Sequence, residues 1–367
     1  MDGDDVLNRA MGEGRVVIAA QLEPIDGRHA RFQPASFPHL GPAEYQRPDG
    51  KRMLVVESEQ SMANRLEAVL WDDTDKRPSQ VVRPLPYVVV ESEDGRYLTS
   101  SRQDPHRLAS IYIMDGKLKH EDKRGLDWVR EQLGLEAVTP GHAQPTDWPA
   151  VYRGILRMDP LCLVHGVFFS NPGIPTQPRV TRALRAYVEA EGVQQADFGG
   201  VKKDLVIPKM VRELGVGAQQ GYGFVPYHRR HYTAEAIWAR FMIDTVQLRG
   251  YGLGDDVTRL LTAVALYQVF SWLAEPQRLR TDCTLVCREG AAVHGKSGAI
   301  DTWGPSQVAE ALRRQVEDLS QRVARGLGLP GVTTVVWSRS ALRAASGKRG
   351  AQEEVAEEET AEDSEEW

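Results

Sequence analysis

Arginines, lysines and aromatic residues cluster in four short stretches of this chain, and such residues are typical of a site that binds a polyanion. The stretches are Arg31-Phe32-Gln33, Gly199-Gly200-Val201-Lys202-Lys203, the run 222–232 with His228, Arg229 and Arg230 inside it, and the pair Arg278 and Arg280. Cations interleaved with rings favour single-stranded nucleic acid, because cations follow the phosphates while rings stack on the bases. The paired glycines would let the backbone approach a phosphate closely. For any one stretch alone, a solvated loop is the alternative.

A second glycine cluster could suggest a nucleotide cofactor. Gly250, Gly252 and Gly254 follow a predicted strand and precede a predicted helix. Their spacing departs from G-x-G-x-x-G, and Asp255 and Asp256 would repel a pyrophosphate at the start of the helix. The pattern favours a tight turn, so we expect no cofactor.

The cysteines favour buried thiols over a metal site. Cys283 and Cys287 lie four residues apart on one predicted strand, with no histidine or further cysteine at ligand spacing. Cys162 lies inside an apolar run. We therefore expect no metal.

The nine histidines form no recognisable catalytic motif. His165 lies in an apolar run and is predicted to be a core residue. A metal-independent endoribonuclease needs only a base near the scissile phosphate, and His29, His106 and His228 are candidates for that base. This enzyme stays open as the alternative to a binding protein without catalytic residues.

The elements that position these clusters are predicted from apolar spacing. Strands are predicted at residues 15–22, 53–56, 87–90, 111–114, 161–170, 280–286 and 333–337, and in the second half of 236–248. Helices are predicted after a cap at Ser58 or Ser61, and at residues 125–133, 255–274 and 306–327. The pattern at 180–191 fits a helix or a strand. Prolines predict a long loop at 24–50, and residues 192–232 are typical of a projecting hairpin or extended loop.

Two strand–helix–strand units at the ends of the chain bracket this irregular middle. The order favours an α+β fold with helices on one face of a sheet, and a ferredoxin-like core with large insertions is the simplest example. We expect one domain over residues 1–350, with a core at about 15–90 and 234–340 and insertions at about 91–233.

Composition excludes several classes of protein. With 41% hydrophobic and 26% charged residues, the chain is neither fibrous nor mostly disordered. No apolar run reaches the roughly 18–20 residues of a membrane span. The acidic N-terminus lacks a secretory signal, and three cysteines fit a reducing cytoplasm, so we expect a cytoplasmic protein.

Charge is distributed unevenly along the chain. Residues 351–367 carry nine acidic groups and no lysine or arginine, so the rest of the chain has a net charge of +3 against −6 for the whole. We expect a disordered, solubilising acidic tail. A mimic of nucleic acid that shields a basic groove is the alternative.

Several blocks of sequence, in order over about residues 15–290, resemble one protein family. They are Arg31-Phe32-Gln33-Pro34 with Phe37-Pro38 and Gly41, the segment 56–67 (VESEQSMANRLE), His165-Gly166-Val167-Phe168-Phe169, Gly199-Gly200-Val201-Lys202, Val225-Pro226-Tyr227-His228-Arg229 and Leu279-Arg280-Thr281-Asp282-Cys283. The segment 56–67 is the longest and most specific block. The family that these blocks resemble is the RAMP-superfamily backbone subunit of the type I-U CRISPR surveillance complex (Cascade), now called type I-G.

The resemblance implies a right-hand-like fold with a ferredoxin-like (RRM-type) palm, a thumb hairpin and fingers. Such subunits polymerise along a CRISPR guide RNA, hold its spacer open for pairing with target DNA, and assemble with a small RAMP or processing subunit and a large subunit. In type I systems a separate helicase-nuclease cuts the DNA. Type III relatives cleave RNA with an aspartate, and no motif here places an equivalent, so we expect no enzymatic activity.

A guide-holding protein must accept any sequence, so it should grip phosphates and leave base edges free. The candidate RNA-binding residues are Arg31, Phe32, Gln33, Asn64, Arg65, Gly199, Gly200, Lys202, Lys203, His228, Arg229, Arg230, Arg278 and Arg280. Asn64 and Arg65 are predicted on the first turns of a helix, where the positive end of its dipole would favour a phosphate. An ion pair of Arg65 with Glu59 or Glu67 is the alternative. Residues 192–232 are the candidate thumb.

Overall fold

Long antiparallel strands and two long helices dominate the chain. The computed structural model describes residues 2–37, 39–135, 145–203, 224–296 and 298–338. The chain begins with α1 (Gly3–Gly12), β1 (Arg15–Pro24), β2 (Glu44–Gln46), β3 (Arg52–Glu57), α2 (Glu59–Ala68), β4 (Trp71–Asp72), β5 (Arg77–Pro78), β6 (Tyr87–Ser92), β7 (Tyr97–Ser100), α3 (Ile111–Met114), β8 (Lys117–Leu118), α4 (Gly125–Gln132), α5 (Trp148–Met158), α6 (Cys162–His165), β9 (Val167–Phe168) and β10 (Arg179–Val180). It continues with β11 (Leu184–Glu191), β12 (Gln194–Lys203), β13 (Phe224–Thr233), β14 (Ala236–Asp244), α7 (Thr245–Gly250), α8 (Asp255–Ala274), β15 (Gln277–Arg280), β16 (Cys283–Cys287), β17 (Ala291–Gly295), β18 (Gly298–Trp303), α9 (Pro305–Gly326) and β19 (Val332–Trp337).

The central sheet has one covered face and one open face. Its strands lie in the spatial order β15-β16-β1-β14-β11-β3-β2, and β17 pairs with β1 and β18. In β1, Val16, Ile18 and Ala20 are buried on one face, whereas Val17 is 39% exposed on the other. β14 and β11 alternate in the same way, which is typical of an antiparallel sheet packed on one side only.

Helices cover the buried face, as the sequence predicts for an α+β fold. α8 lies against the sheet and is apolar on nearly all sides, with Leu260, Val264 and Phe270 fully buried. α9 packs on α8 through a stripe that includes Val308 and Leu312. Burial of each such side chain contributes about 1.5–3 kcal/mol. Within the described ranges, α8 is the one helix long and apolar enough to cross a membrane, and 78% of its most apolar window is buried inside the protein.

The start of α2 follows from its capping residue. The N–H of Ser61 donates to the Ser58 Oγ at 3.4 Å, so Ser58 is the cap among the two serines that the sequence offers. Met62 and Leu66 are buried one helical turn apart. This face of α2 packs against α8 and β11.

β12 and β13 form a hairpin within the segment 192–232, as predicted. They pair antiparallel from Gln194 opposite Thr233 to Lys203 opposite Phe224. At the base, the Phe32 N–H donates to the Tyr232 carbonyl at 2.8 Å, and the Tyr232 N–H donates back at 3.0 Å. The first loop is thereby fixed to the hairpin. Residues 204–223, which complete the candidate thumb, lie outside the described residues, as does the acidic tail.

A second sheet joins the end of the chain to its middle. Its order is β7-β6-β19-β8, with β19 parallel to β6 and antiparallel to β8. The predicted strands at 87–90 and 333–337 are confirmed, as is the predicted helix at 125–133.

Two predicted strands are wrong, because short apolar runs do not distinguish a strand from a buried helix. Residues 111–114 form α3, where the Tyr112 N–H donates to the Ser110 Oγ at 3.3 Å. Residues 161–170 contain α6 and only the two-residue β9. The Asp159 carboxylate accepts from the Leu161 N–H at 3.1 Å as this turn begins, and Gly166, at φ 79°, follows its end.

Four further boundaries differ from the prediction. The predicted strand 280–286 is two strands, β15 and β16, joined at Thr281-Asp282. The strand in 236–248 fills the first part of that segment, and α7 follows. Residues 184–191, which fitted either element, form β11. α1 was not predicted; Asp2 caps it by accepting from the Asp4 N–H at 3.4 Å.

Candidate nucleic-acid interface

Asp282 brings together three of the stretches that the sequence singles out. Its carboxylate accepts from the Arg229 Nη1 at 2.9 Å and lies 3.1 Å from the His231 Nε2. Because a carboxylate only accepts, this nitrogen of His231 carries the proton. The Asp282 carbonyl accepts from the Gln33 N–H at 2.8 Å. The first loop, the hairpin and the β15–β16 turn therefore meet at one residue, which we call the Asp282 junction.

Arg31 and Phe198 form a stacked surface beside this junction. The Arg31 guanidinium lies 4.8 Å from the centroid of the Phe198 ring, and that ring lies 4.7 Å from the buried His231 ring. Arg31 itself is exposed. An exposed guanidinium supported by a ring can reach a phosphate or stack on a base.

Partners already neutralise the exposed cations of β13 in part. Asp197 lies 3.4 Å from Arg230 and 3.6 Å from His228. A hydrogen bond from Gln195, together with the neighbouring Arg230 and His228, lowers the pKa of Asp197. The Arg229–Asp282 pair is also exposed, at 51% and 37% of its side chains. Pairs this exposed contribute little stability, so a phosphate can replace the carboxylate at low cost.

Packing within the hairpin requires Gly199 and leaves little room for a side chain at Gly200. A Cβ on Gly199 would lie 2.5 Å from the Tyr227 carbonyl oxygen, and one on Gly200 would lie 3.0 Å from the Tyr227 hydroxyl. Tyr227 in turn lies under the Arg229 guanidinium at 5.6 Å. The glycines thus let the two strands approach each other, which accounts for them without a phosphate.

Arg65 and Arg280 hold a buried carboxylate. Glu57 is 2% exposed, and its Oε2 accepts from the Arg280 Nη2 at 2.7 Å while the Arg65 Nε lies 3.4 Å from its Oε1. The Arg65 Nη2 also donates to the Leu279 carbonyl at 2.9 Å, and the Arg280 Nη2 to the Val56 carbonyl at 2.7 Å. A buried carboxylate needs such partners. These two arginines therefore join β3 and α2 to β15.

The predicted place of Asn64 and Arg65 at the positive end of a helix is wrong. α2 begins at Glu59, so Asn64 is in its middle and Arg65 in its last turn. The predicted partners of Arg65 are also wrong, because Glu67 binds Arg107 at 2.6 Å instead. Asn64 is exposed and stays available for a polar contact.

Phe32 is a core residue and not a stacking platform. Its ring is 1% exposed, so no base can reach it. Arg278 is exposed, and its carbonyl accepts from the Arg65 Nη1 at 3.5 Å. The side chains of Lys202 and Lys203 lie outside the described part of the structure.

The predicted core thiols Cys162 and Cys283 and the core histidine are confirmed, whereas Cys287, also predicted to be buried, is only partly buried. Cys162 and Cys283 are buried, and burial raises the pKa of Cys283 to about 11. His165 is buried with its Nε2 3.1 Å from the Gln268 Oε1, and burial lowers its pKa to about 4. Among the described residues no group of histidine, cysteine and carboxylate side chains could hold a metal ion.

The three histidines proposed as candidate bases lie on different elements. His29 lies in the first loop with its Nδ1 3.4 Å from the Ala234 carbonyl, His106 is exposed before a short 3₁₀ turn, and His228 is on β13.

Sequence reasoning missed a row of side chains on the open face of the sheet. The Arg240 guanidinium lies 5.4 Å from the centroid of the Trp238 ring, and Tyr187 is opposite Arg240 on β11. Arg185 and Met242 form the next pair along. The signal was present, because Trp238, Arg240 and Met242 alternate with buried residues along β14. Cations and rings on an open antiparallel sheet are the surface that RRM modules offer to single-stranded RNA.

Residues 16–195 match the model of the family described as CRISPR-associated protein GSU0053. Over this stretch, just under half of its length, the chain is similar to this family of CRISPR-associated proteins. The match confirms the resemblance found in the sequence, and it covers the first loop, α2 and the whole of β11, whereas β14 lies beyond it. No curated protein sequence matches the chain.

Two solved structures are similar to the chain. One, described as a CRISPR RNA-guided surveillance complex, pre-nicking, is 13% identical over 76% of this chain and 75% of its own, with a TM-score of 0.39. The other, Csc2 of Thermofilum pendens, is 12% identical over 90% of this chain and 80% of its own, with a TM-score of 0.27. Both scores are low, so the similarity to the family rests on the sequence match alone.

Proposed function

We propose that this CRISPR-associated protein is a non-catalytic, guide RNA-binding backbone subunit of a type I-U/I-G Cascade-like complex in the cytoplasm. It polymerises along the guide RNA with its own copies, joins the small and large subunits, and presents the spacer for pairing with target DNA. The observation that carries the proposal is the convergence of Arg31, Gln33 and Arg229 on the Asp282 junction. The first loop, with Arg31 and Gln33, and the hairpin, with Arg229, are distant in the sequence, and together they form one cationic, aromatic surface.

The order of four strands supports a ferredoxin-like, RRM-type palm. In chain order, β1, α2, β11, β14, α8 and β16 form a βαββαβ unit, and its strands lie side by side as β16-β1-β14-β11. Counted along the chain, the first strand of the unit lies between the fourth and the third, and the second strand lies on the far side of the third. All three neighbouring pairs are antiparallel. Both helices lie on the covered face. The hairpin β12–β13 projects between the second and third strands of this unit and is the thumb.

The chemistry of the surface supports sequence-independent binding. Guanidinium groups beside rings, as at Arg31 and Arg240, contact phosphates and stack on any base. A guide must keep its base edges free for the target, so a surface of this kind suits it better than a pocket for one base.

The experiment that tests the proposal is co-expression of the chain with its neighbouring gene products. We expect the purified complex to contain RNA, seen as a high ratio of absorbance at 260 to 280 nm, and sequencing to return CRISPR spacers. A complex free of nucleic acid, with no affinity for added RNA, would contradict the proposal. Incubation with labelled repeat RNA separates the alternative, because discrete cleavage products indicate a metal-independent endoribonuclease.

A further inference from the structure

The middle of the open sheet face carries two arginines without a carboxylate beside them. Arg240 on β14 lies opposite Ala19 of β1 on one side and Tyr187 of β11 on the other. Arg185 on β11 lies opposite Met242 and is exposed. Within the described part of the chain, neither arginine forms an ion pair, because their cross-strand neighbours are apolar or aromatic.

The carboxylates on the open face of these two strands are bound to other groups. The Asp244 carboxylate accepts from the Arg15 Nε at 2.9 Å. The Glu189 carboxylate accepts from the Tyr45 hydroxyl at 2.9 Å. The centre of the face therefore keeps an unbalanced positive charge, which attracts anions.

The side chains around the two arginines are apolar and partly accessible to solvent. Val17 is 39% exposed, and Trp238, Tyr187 and Met242 are half-buried. Trp238 also supports the Arg240 guanidinium at 5.4 Å from its ring centroid. A complementary occupant would supply carboxylates to the guanidinium groups and a few apolar groups to the rings.

The acidic tail, residues 351–367, has this composition. Its nine acidic residues lie between Glu353 and Glu366, and Val355 and Trp367 are its largest apolar side chains. Its charge is opposite in sign to the net charge of +3 on the rest of the chain. Covalent linkage gives the tail a high effective concentration at any surface of the same chain that it can reach.

The chain is long enough to bring the tail to the open face. The described structure ends at Ser338, after β19, and residues 339–352 separate it from Glu353. An extended chain spans about 3.3–3.6 Å per residue, so Glu353 can lie up to about 50 Å from Ser338. A compact domain of this size has a radius of gyration of about 20 Å. The open face therefore lies within reach of the acidic residues.

Four cations that precede the tail are the competing site for its carboxylates. They are Arg339, Arg343, Lys348 and Arg349. Four cations cannot neutralise nine carboxylates, so acidic groups remain for the sheet.

We propose that the acidic tail lies on the open sheet face of its own chain when no RNA is bound, with carboxylates on Arg185 and Arg240 and Trp367 against the Trp238 ring. Nucleic acid must then displace the tail, which disfavours short or weakly bound polyanions. The docking of the tail does not depend on what displaces it. The competition with RNA rests on the proposed function.

The test places the photo-cross-linking residue p-benzoylphenylalanine in the full chain in place of Trp367. After nuclease treatment and irradiation, mass spectrometry identifies the peptides joined to position 367. The same chain is prepared with Arg185→Gln/Arg240→Gln, and with Arg314→Gln as the matched control, an exposed arginine on α9. Because all three arginines have access to solvent, both variants should fold, which circular dichroism checks.

We expect cross-links to β11 and β14, at a yield that falls by about threefold in the double variant and is unchanged in Arg314→Gln. The yield should also fall between about 0.1 M and about 1 M salt, because the Debye length shortens from about 10 Å to about 3 Å. Cross-links confined to residues 339–350, or equal yields in the two variants, would overturn the proposal. A cross-linked dimer on a denaturing gel would overturn it as well, since the occupant would then be the tail of a second copy.

Addition of oligouridylate separates this inference from the proposed function. Loss of the cross-links to β11 and β14 supports competition between the tail and RNA. Cross-links that persist while anisotropy shows oligouridylate bound overturn the competition and leave both the docking and the proposed function intact. A chain that cross-links as expected but does not bind oligouridylate contradicts the proposed function and supports the docking.

Discussion

Replacement of Glu57 by glutamine should lower the free energy of unfolding by several kcal/mol while leaving the affinity for RNA nearly unchanged. The Glu57 side chain is 3% exposed, while its partners Arg65 and Arg280 are 28% and 20% exposed. Loss of one partner from a buried pair costs about 3–5 kcal/mol. Because both guanidinium groups have some access to water, we expect the lower end, about 3 kcal/mol. With about 2 °C per kcal/mol for a large domain, the melting temperature should fall by roughly 6 °C.

The assay is thermal unfolding followed by circular dichroism, with Glu310→Gln as the control. Glu310 pairs with Arg313 at 2.9 Å on the surface of α9, with side-chain exposures of 60% and 41%. Loss of such a pair costs under about 1 kcal/mol. Arg280→Gln should behave like Glu57→Gln.

One result would refute this reasoning. If Glu57→Gln has the same melting temperature as Glu310→Gln, the buried carboxylate does not form stabilising ion pairs with the two arginines. Arg65 and Arg280 would then be available for phosphate, as the sequence first indicated. Anisotropy with oligouridylate should in that case show that Arg280→Gln binds RNA more weakly.

The remaining predictions concern pH, salt, the hairpin and the tail. The pKa of His165 is about 4 in the folded chain and 6.5 in an unfolded one, so on acidification the unfolded state binds the proton first. The free energy of unfolding should therefore fall as the pH is lowered from 6.5 toward 4, and it should fall less steeply in His165→Gln. Equal slopes in the wild type and the variant would refute this. If each subunit neutralises about 4 phosphates, the affinity for single-stranded RNA should follow salt with a log–log slope near −3, and an affinity independent of salt would contradict an electrostatic surface. Lys202→Ala with Lys203→Ala should weaken RNA-dependent assembly at an unchanged melting temperature, since cations on a projecting hairpin are expected to contribute little to folding; a large loss of stability would show a structural role. Deletion of residues 351–367 should leave the fold intact and RNA binding equal or stronger at low salt, because nine acidic groups are removed; weaker binding would indicate a tail that docks a partner.

Much of the fold follows from local sequence signals. Three local signals predict their structure within a few residues. They are Ser58 before an apolar stripe, the long apolar run of α8, and the glycine-rich hairpin. The errors fall where local signals are ambiguous. Residues 111–114 and 161–165 are apolar on all sides, so no alternation separates strand from helix, and tertiary packing decides.

The candidate site was harder to predict, because a cation's role depends on its partner. Arg65 and Arg280 are residues of the type that binds phosphate, yet both form ion pairs with Glu57, which lies more than two hundred positions from Arg280 in the sequence. Conversely, Arg182 lies in a segment whose secondary structure was left open, and only the folded chain shows that it has no carboxylate partner among the described residues. The charged residues are visible in the sequence, but their pairing is a property of the fold.

The position of β1 has a consequence for synthesis of the chain. β1 pairs with β14, β16 and β17, all of which come after residue 235. The N-terminal strand therefore stays unpaired until nearly two thirds of the chain has left the ribosome, with its apolar residues exposed. The segment 16–195 that matches the family contains β1 without any of these neighbours, so β1 pairs entirely with strands outside the matched segment.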